Sequence, residues 1–213
     1  MKFLFGAYRD WAIKAICGSK CLDGHEVRAE CTPEAFNAAA ESQDWDAIIV
    51  VGWSWKVPVA IVNSKLVVGM HPSDLPMYAG GSPIQNQILA GLTESKATLF
   101  KLNEKFDGGE IVDKEPISLT GHLDEVLSSI GHATSVLIDR FVTAFPNYTL
   151  TKQVGNGTQV RRLKPEHSRL QNPGLTCKKM WDIIRCHEDP YPNVYFEDET
   201  GRLTIKIAEF EEK

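Results

Sequence analysis

The segment His71 to Gln85 reads HPSDLPMYAGGSPIQ, and Phe106 to Val112 reads FDGGEIV. His71 and Asp107 are separated by 107 minus 71, or 36, positions. A histidine can accept a proton or offer one to a carbonyl oxygen, and an aspartate brought beside it would hold its ring. Together they are equipment for proton movement while an oxygen gains charge. Each alone has a bland reading: His71 as a hydrogen-bonded loop histidine, and Asp107-Gly108 as a hairpin turn. Joint occurrence gives them weight, because a motif is judged by its context.

Residues so far apart meet only if the intervening elements fold back on one another. Lys2 to Gly6 reads as a strand, Asp10 to Cys17 as a helix and His25 to Glu30 as a second strand. Pro33 to Ser42 predicts a helix, with Thr32 as its cap and Pro33 in its first turn. Asp46 to Gly52 is a β-branched run without alternation, which predicts a strand buried on both faces, and Leu66 to Met70 predicts another. Pro58 to Asn63 has room for a short helical turn. The prolines and glycines of His71 to Pro83 describe a loop leaving the carboxyl end of a strand, the edge where α/β proteins place chemistry. Pro83 to Ala90 resumes as a helix ended by Gly91. Lys96 to Asn103 and Glu110 to Leu119 read as strands joined across Asp107-Gly108-Gly109, and Leu123 to Phe145 as a long amphipathic helix. The pattern is α/β: a Rossmann-like, mostly parallel sheet with flanking helices over residues 1–148. Residues 149–213 predict a small C-terminal α+β subdomain, with a basic strand at Thr158 to Lys164, a helix at Cys177 to His187 and a hairpin over Asn193 to Glu211 turning at Thr200-Gly201.

The two segments and their separation resemble the signature of the folate-dependent formyltransferase family, most like its nucleotide-sugar members. In that family a histidine opens a proline-rich loop and an aspartate opens an Asp-x-Gly turn. The resemblance implies the formyltransferase fold, with His71 and Asp107 at the reacting centre and N10-formyltetrahydrofolate as co-substrate. An amine attacking a formamide-like carbon must shed a proton while the carbonyl oxygen gains charge, which suits this pair. Both residues are expected on an exposed loop edge. One departure is plain: Gly69 stands where the family usually has an asparagine whose amide helps hold the oxyanion. Losing one such donor costs ~10²- to 10³-fold in rate. Gln85 and Asn86 are candidate substitutes, and a hydrolase of formyltetrahydrofolate or a weakly active folate-binding homologue is an alternative outcome. Ala79, where many relatives carry arginine, is a second departure.

By the same resemblance, Gly52 to Pro58 (GWSWKVP) matches the pterin-binding segment. Trp53, Ser54, Trp55, Lys56 and Val57 would line it, together with Lys105 and Phe106. The acceptor would lie beside Tyr8, Arg9, Asp74, Tyr78 and the Gly80-Gly81-Ser82 turn. Arg9, Lys14, Arg161 and Arg162 are candidate phosphate partners, and Tyr8, Trp11 and Tyr78 candidate stacking partners. The run AYRD (Ala7 to Asp10) resembles the opening of a sugar member, and RRLKPEHS (Arg161 to Ser168) with Asp189 to Pro192 resembles the corresponding region of sugar and tRNA members. A nucleotide-linked amino sugar of the 4-amino-4,6-dideoxyhexose type is therefore the expected acceptor, with methionyl-tRNA the alternative.

Composition bounds the rest. The 213 residues, 43% of them hydrophobic, suffice for one sizeable core. A net charge of -5 supplies no positive field to gather a phosphate backbone, which disfavours nucleic acid as partner. Five cysteines without a Cys-x-x-Cys pair give no sign of a metal site and fit reduced thiols in a cytoplasmic protein. No apolar run is long enough to span a membrane, and the amino terminus lacks a signal-peptide pattern. A homodimer is left open.

Overall fold

The computed structural model describes residues 1–171 and 174–213. In chain order the strands are β1 (Lys2–Gly6), β2 (Glu26–Glu30), β3 (Ala47–Val51), β4 (Val67–His71), β5 (Ala79–Gly80), β6 (Glu94–Lys101), β7 (Ile111–Ser118), β8 (Gln159–Val160), β9 (Val194–Asp198) and β10 (Gly201–Ile205). The helices are α1 (Asp10–Cys17), α2 (Pro33–Ser42), α3 (Val59–Ser64), α4 (Pro83–Leu89), α5 (Leu123–Ala144) and α6 (Cys177–Arg185). The main sheet has the order β2-β1-β3-β4-β6-β7. Strands β1 to β4 are mutually parallel, β6 is antiparallel to β4, and β7 is antiparallel to β6.

Burial on both faces explains the β-branched run of β3, whose five residues are all buried. Ile49 and Val51 join Ala12 and Ile16 of α1 and the apolar stripe of α5, while Ile48 and Val50 join Phe36, Ala39 and Ile61 of α2 and α3. Each such side chain contributes about 1.5–3 kcal/mol by leaving water. Thr32 caps α2 by accepting from the Ala35 amide at 3.3 Å, with Pro33 in the first turn. At the start of α5, the Glu188 carboxylate accepts the Leu123 amide at 2.9 Å, and Glu125 accepts the His122 amide at 2.8 Å.

The C-terminal stretch departs from expectation. Instead of a strand over Thr158 to Lys164, only Gln159 and Val160 pair, and they do so with Ala79 and Gly80 of the loop after β4. The ladder stops because Ser82 turns left-handed at φ 51 and its hydroxyl accepts the Leu163 amide at 3.0 Å. Pro165 then opens a 3₁₀ turn, Pro165–Ser168. The β9–β10 hairpin is also shorter than Asn193 to Glu211. Beyond Ile205 the chain crosses α6, where Trp181 donates its indole N–H to the Ala208 carbonyl at 3.0 Å and Phe210 stacks on its ring.

Arg185 of α6 is 2% exposed and ties this region to the sheet. It donates to Asp182 Oδ1 at 2.8 Å and to the carbonyls of Leu119 and Gly121 at 2.7 and 2.9 Å. Arg185→Met orphans two buried carbonyls and removes one partner of buried Asp182, so a loss of about 3 kcal/mol is expected. Urea unfolding measures it, and a loss under about 1 kcal/mol would contradict the tether.

Candidate active site

A cavity of about 960 Å³ opens at the carboxyl ends of β1, β3 and β4. Strand alternation sets what faces it: Val68 and Met70 enter the core beneath α5, with Met70 also reaching the cavity edge, whereas Gly69 and His71 line the cavity from the other face. His71 is the last residue of β4 and is 7% exposed. Its Nε2 lies 2.9 Å from the Tyr78 carbonyl, which can only accept, so Nε2 carries the proton. Nδ1 is thereby turned toward Asp107, with Oδ2 at 3.7 Å. Asp107 Oδ2 also accepts the Gly80 amide at 2.8 Å.

Among the described residues, three non-glycines take left-handed backbones, all at or beside this pair: Tyr78 (φ 54), Ser82 (φ 51) and Asp107 (φ 49). Each costs on the order of 1 kcal/mol, a strain that persists where surrounding contacts over-determine it. Thr98 of β6 accepts the Leu75 amide and donates to the Ser73 carbonyl, and Gln87 of α4 donates to the Pro72 carbonyl. Gln153 donates to the carbonyls of Asp107 and Gly109 at 2.8 Å each. Gly109 itself is obligatory, since a Cβ there would lie 1.6 Å from the Lys101 carbonyl oxygen. His71 and Asp107 thus sit in a braced, largely buried corner rather than on the exposed loop edge expected from sequence.

At Gly69 a Cβ would come within 2.6 Å of Leu102 Cδ1. The space that an asparagine would need is filled by a leucine methyl. Of the two candidate substitutes, Asn86 is committed to the carbonyls of Gly81, Ser82 and Arg161, whereas Gln85 is buried in the cavity wall.

One wall of the cavity is aromatic: Tyr8 meets Trp55 at 4.6 Å between centroids, Trp55 meets Trp53 at 4.9 Å, and Trp53 meets Phe36 at 4.9 Å. Trp55 is 42% and Phe106 62% exposed, an apolar rim of the kind that marks a binding groove. Ser54, Lys56, Val57 and Lys105 line the same region, and Ser54 Oγ lies 2.6 Å from the Tyr8 hydroxyl.

Tyr8, Arg9, Gly80, Gly81 and Ser82 also line the cavity, with Trp11 and Arg162. Asp74 and Tyr78 do not. The Asp74 carboxylate is drawn away by Lys114 and Lys96, and despite its partial burial these two ammonium groups hold it below the usual carboxylate range. Tyr78 contributes its carbonyl to His71, with its ring outside the cavity lining. Lys14 and Arg161 are likewise not cavity residues, and the Tyr8 ring is already occupied by Trp55 and the Arg9 guanidinium. Tyr191 was missed from sequence: it reaches the cavity from the turn after α6, and burial raises its phenol above the ordinary value against the opposing field of Arg9. Its sequence signal was the run Asp189 to Pro192, which assigned the phenol no role.

Residues 15–132 match the formyl transferase family profile. The chain belongs to that family. Methionyl-tRNA formyltransferase of Rickettsia prowazekii is 28% identical over 176 residues, a match covering 78% of this chain and 56% of the relative. The chain therefore spans about half the length of the curated relatives it matches. Among solved formyl transferases, a methionyl-tRNA formyltransferase from Clostridium thermocellum superposes with a TM-score of 0.90 at 25% identity, covering 99% of this chain and 94% of that one. A 4-N formyltransferase from Francisella tularensis gives 0.77 at 18%, covering 98% and 99%. HypX from Aquifex aeolicus in complex with tetrahydrofolic acid gives 0.77 at 19%, covering 92% of this chain and 36% of that one. The formyl transferase fold, a mostly parallel sheet flanked by helices, is the architecture expected from sequence. Among the described residues no helix is long and apolar enough to cross a membrane.

Proposed function

We propose that the protein transfers a formyl group from N10-formyltetrahydrofolate to the amino group of a nucleotide-linked sugar, of the 4-amino-4,6-dideoxyhexose class. The observation that carries this reading is the convergence of His71 and Asp107, 3.7 Å apart, beside an aromatic-walled cavity. Trp53, Trp55 and Phe106 offer apolar surface to a pteridine, while Ser54 and the backbone around Lys56, Val57 and Lys105 supply polar groups for its edge. HypX from Aquifex aeolicus, of similar fold, is solved in complex with tetrahydrofolic acid, which supports a folate donor.

In this mechanism the acceptor amine approaches from the Gly80-Gly81-Ser82 side. The Tyr78 carbonyl fixes the His71 ring through Nε2, and Nδ1, with Asp107 Oδ2 3.7 Å away, is the nitrogen that exchanges a proton at the reacting centre. As the amine adds, Nδ1 takes its proton while negative charge gathers on the formyl oxygen; the carbonyl then reforms as the carbon–nitrogen bond to folate breaks, the folate nitrogen takes up that proton, and tetrahydrofolate leaves. Incubation with donor and a panel of amino-sugar nucleotides should give a product heavier by one formyl unit. Absence of product across the panel would defeat the sugar reading.

A second reading, formylation of methionyl-tRNA, draws on the names of the Rickettsia and Clostridium relatives. Tight tRNA binding that weakens steeply with salt would favour it, because phosphate contacts release counterions. Tetrahydrofolate release with no acceptor present would instead mark a hydrolase.

A further inference from the structure

We propose that Arg9 and Arg162 form the seat for the phosphoryl groups of the acceptor, a two-guanidinium clamp for a nucleoside diphosphate. The inference rests on the formyl-transfer reading and identifies which end of the cavity reads the nucleotide. Of the eight arginines, Arg28, Arg140, Arg185 and Arg202 pair with carboxylates and Arg169 donates to a carbonyl. Among the described residues, the side chains of Arg9, Arg161 and Arg162 have no hydrogen-bond acceptor, and two of these three line the cavity. The Arg9 guanidinium lies 4.7 Å from the Tyr8 ring centroid and 5.3 Å from that of Tyr191. Aromatic contact engages a guanidinium through its plane and leaves its in-plane N–H groups to donate. Two forks of this kind match phosphoryl oxygens better than a single carboxylate.

The position of Arg162 is fixed from the catalytic loop. A Cβ on Gly81 would lie 2.5 Å from Arg162 Cα, so a glycine there lets the two backbones touch. Ser82 accepts the next amide, that of Leu163, and Asn86 donates to the preceding carbonyl, that of Arg161, at 3.3 Å. The same loop carries Gly80, whose amide is held by Asp107. The spacing between anion seat and reacting pair is therefore built into one loop, which positions an amine attached at a set distance from a diphosphate. The carboxylates of the cavity already have partners: Asp107 is committed to Gly80 and His71, and Glu104 to Asn63. Tyr191, partly buried at the same cavity, adds a phenol within the field of both arginines.

Calorimetric titration of the full chain with inorganic pyrophosphate and with UDP, alongside tetrahydrofolate, tests the clamp. Arg9→Gln and Arg162→Gln should each weaken pyrophosphate and UDP binding roughly tenfold or more, the scale of a lost charge-assisted contact. Tetrahydrofolate affinity should stay within about twofold in the Arg162 variant, since among the described residues Arg162 makes no ring contact with the aromatic wall, whereas Arg9 lies over the Tyr8 ring. Arg162 is exposed, so its variant tests the clamp even if Arg9→Gln fails to fold. Equal binding of both phosphate probes by wild type and the Arg162 variant, or no binding of either by the wild type, would overturn the proposal. So would Arg-dependent binding of acetate or tRNA without pyrophosphate or UDP. Failure of tetrahydrofolate to bind would sink the formyl-transfer reading separately, and the phosphate titrations would still decide the clamp.

Discussion

Under the proposed formyl transfer, Asp107→Asn should lower turnover by roughly 10²- to 10⁴-fold, the span for loss of a group that sets up proton transfer. The substitution suits the site because asparagine tolerates the left-handed backbone at this position, φ 49, and can still accept the Gly80 amide. Geometry is kept and charge is removed, so the rate reports the carboxylate. His71→Ala should produce a loss of the same order. Its side effect is larger, because the buried Tyr78 carbonyl then lacks its donor, at a cost of about 1–3 kcal/mol. Steady-state rates at saturating donor, with thermal melts beside them, separate chemistry from folding. Near-wild-type turnover in either folded variant would remove both residues from the mechanism.

Gly69→Asn should gain rate only when Leu102 gives way. Alone, it drives a Cβ to 2.6 Å from Leu102 Cδ1, and overpacking of this kind costs about 1–3 kcal/mol. With Leu102→Ala the amide has room beside His71 and can reach a developing oxyanion, a donor worth ~10²- to 10³-fold in turnover. The double variant should therefore outrun both the wild type and each single variant. An unchanged rate in the folded double variant would mean that the oxyanion is held by another donor and that the leucine replaces nothing of consequence.

Elements whose burial is written locally were legible in the sequence. The β-branched run of β3 implied two covered faces, Thr32 and Pro33 marked the start of α2, and the apolar period of α5 marked its length. His71 and Asp107 could be paired because two segments with fixed spacing carried them. What escaped depends on partners distant in sequence. Nothing near Gly69 in the chain announces Leu102, and nothing near Asp107 announces Gln153. Asp74 looked like a cavity residue because it sits in the loop after His71, yet two lysines from β6 and β7 claim it. Tyr78 acts through a carbonyl, which side-chain patterns do not register. The stretch Thr158 to Lys164 has strand-like composition, but its available partner, β5, is two residues long.

A crystal structure with a bound 10-formyl folate analogue tests the central claim most directly. The account predicts the pteridine against Trp53 and Trp55 and the formyl carbon within about 4 Å of His71 Nδ1, the range of a near-attack arrangement. A pteridine seated elsewhere, or a formyl group turned away from both His71 and Asp107, would contradict it.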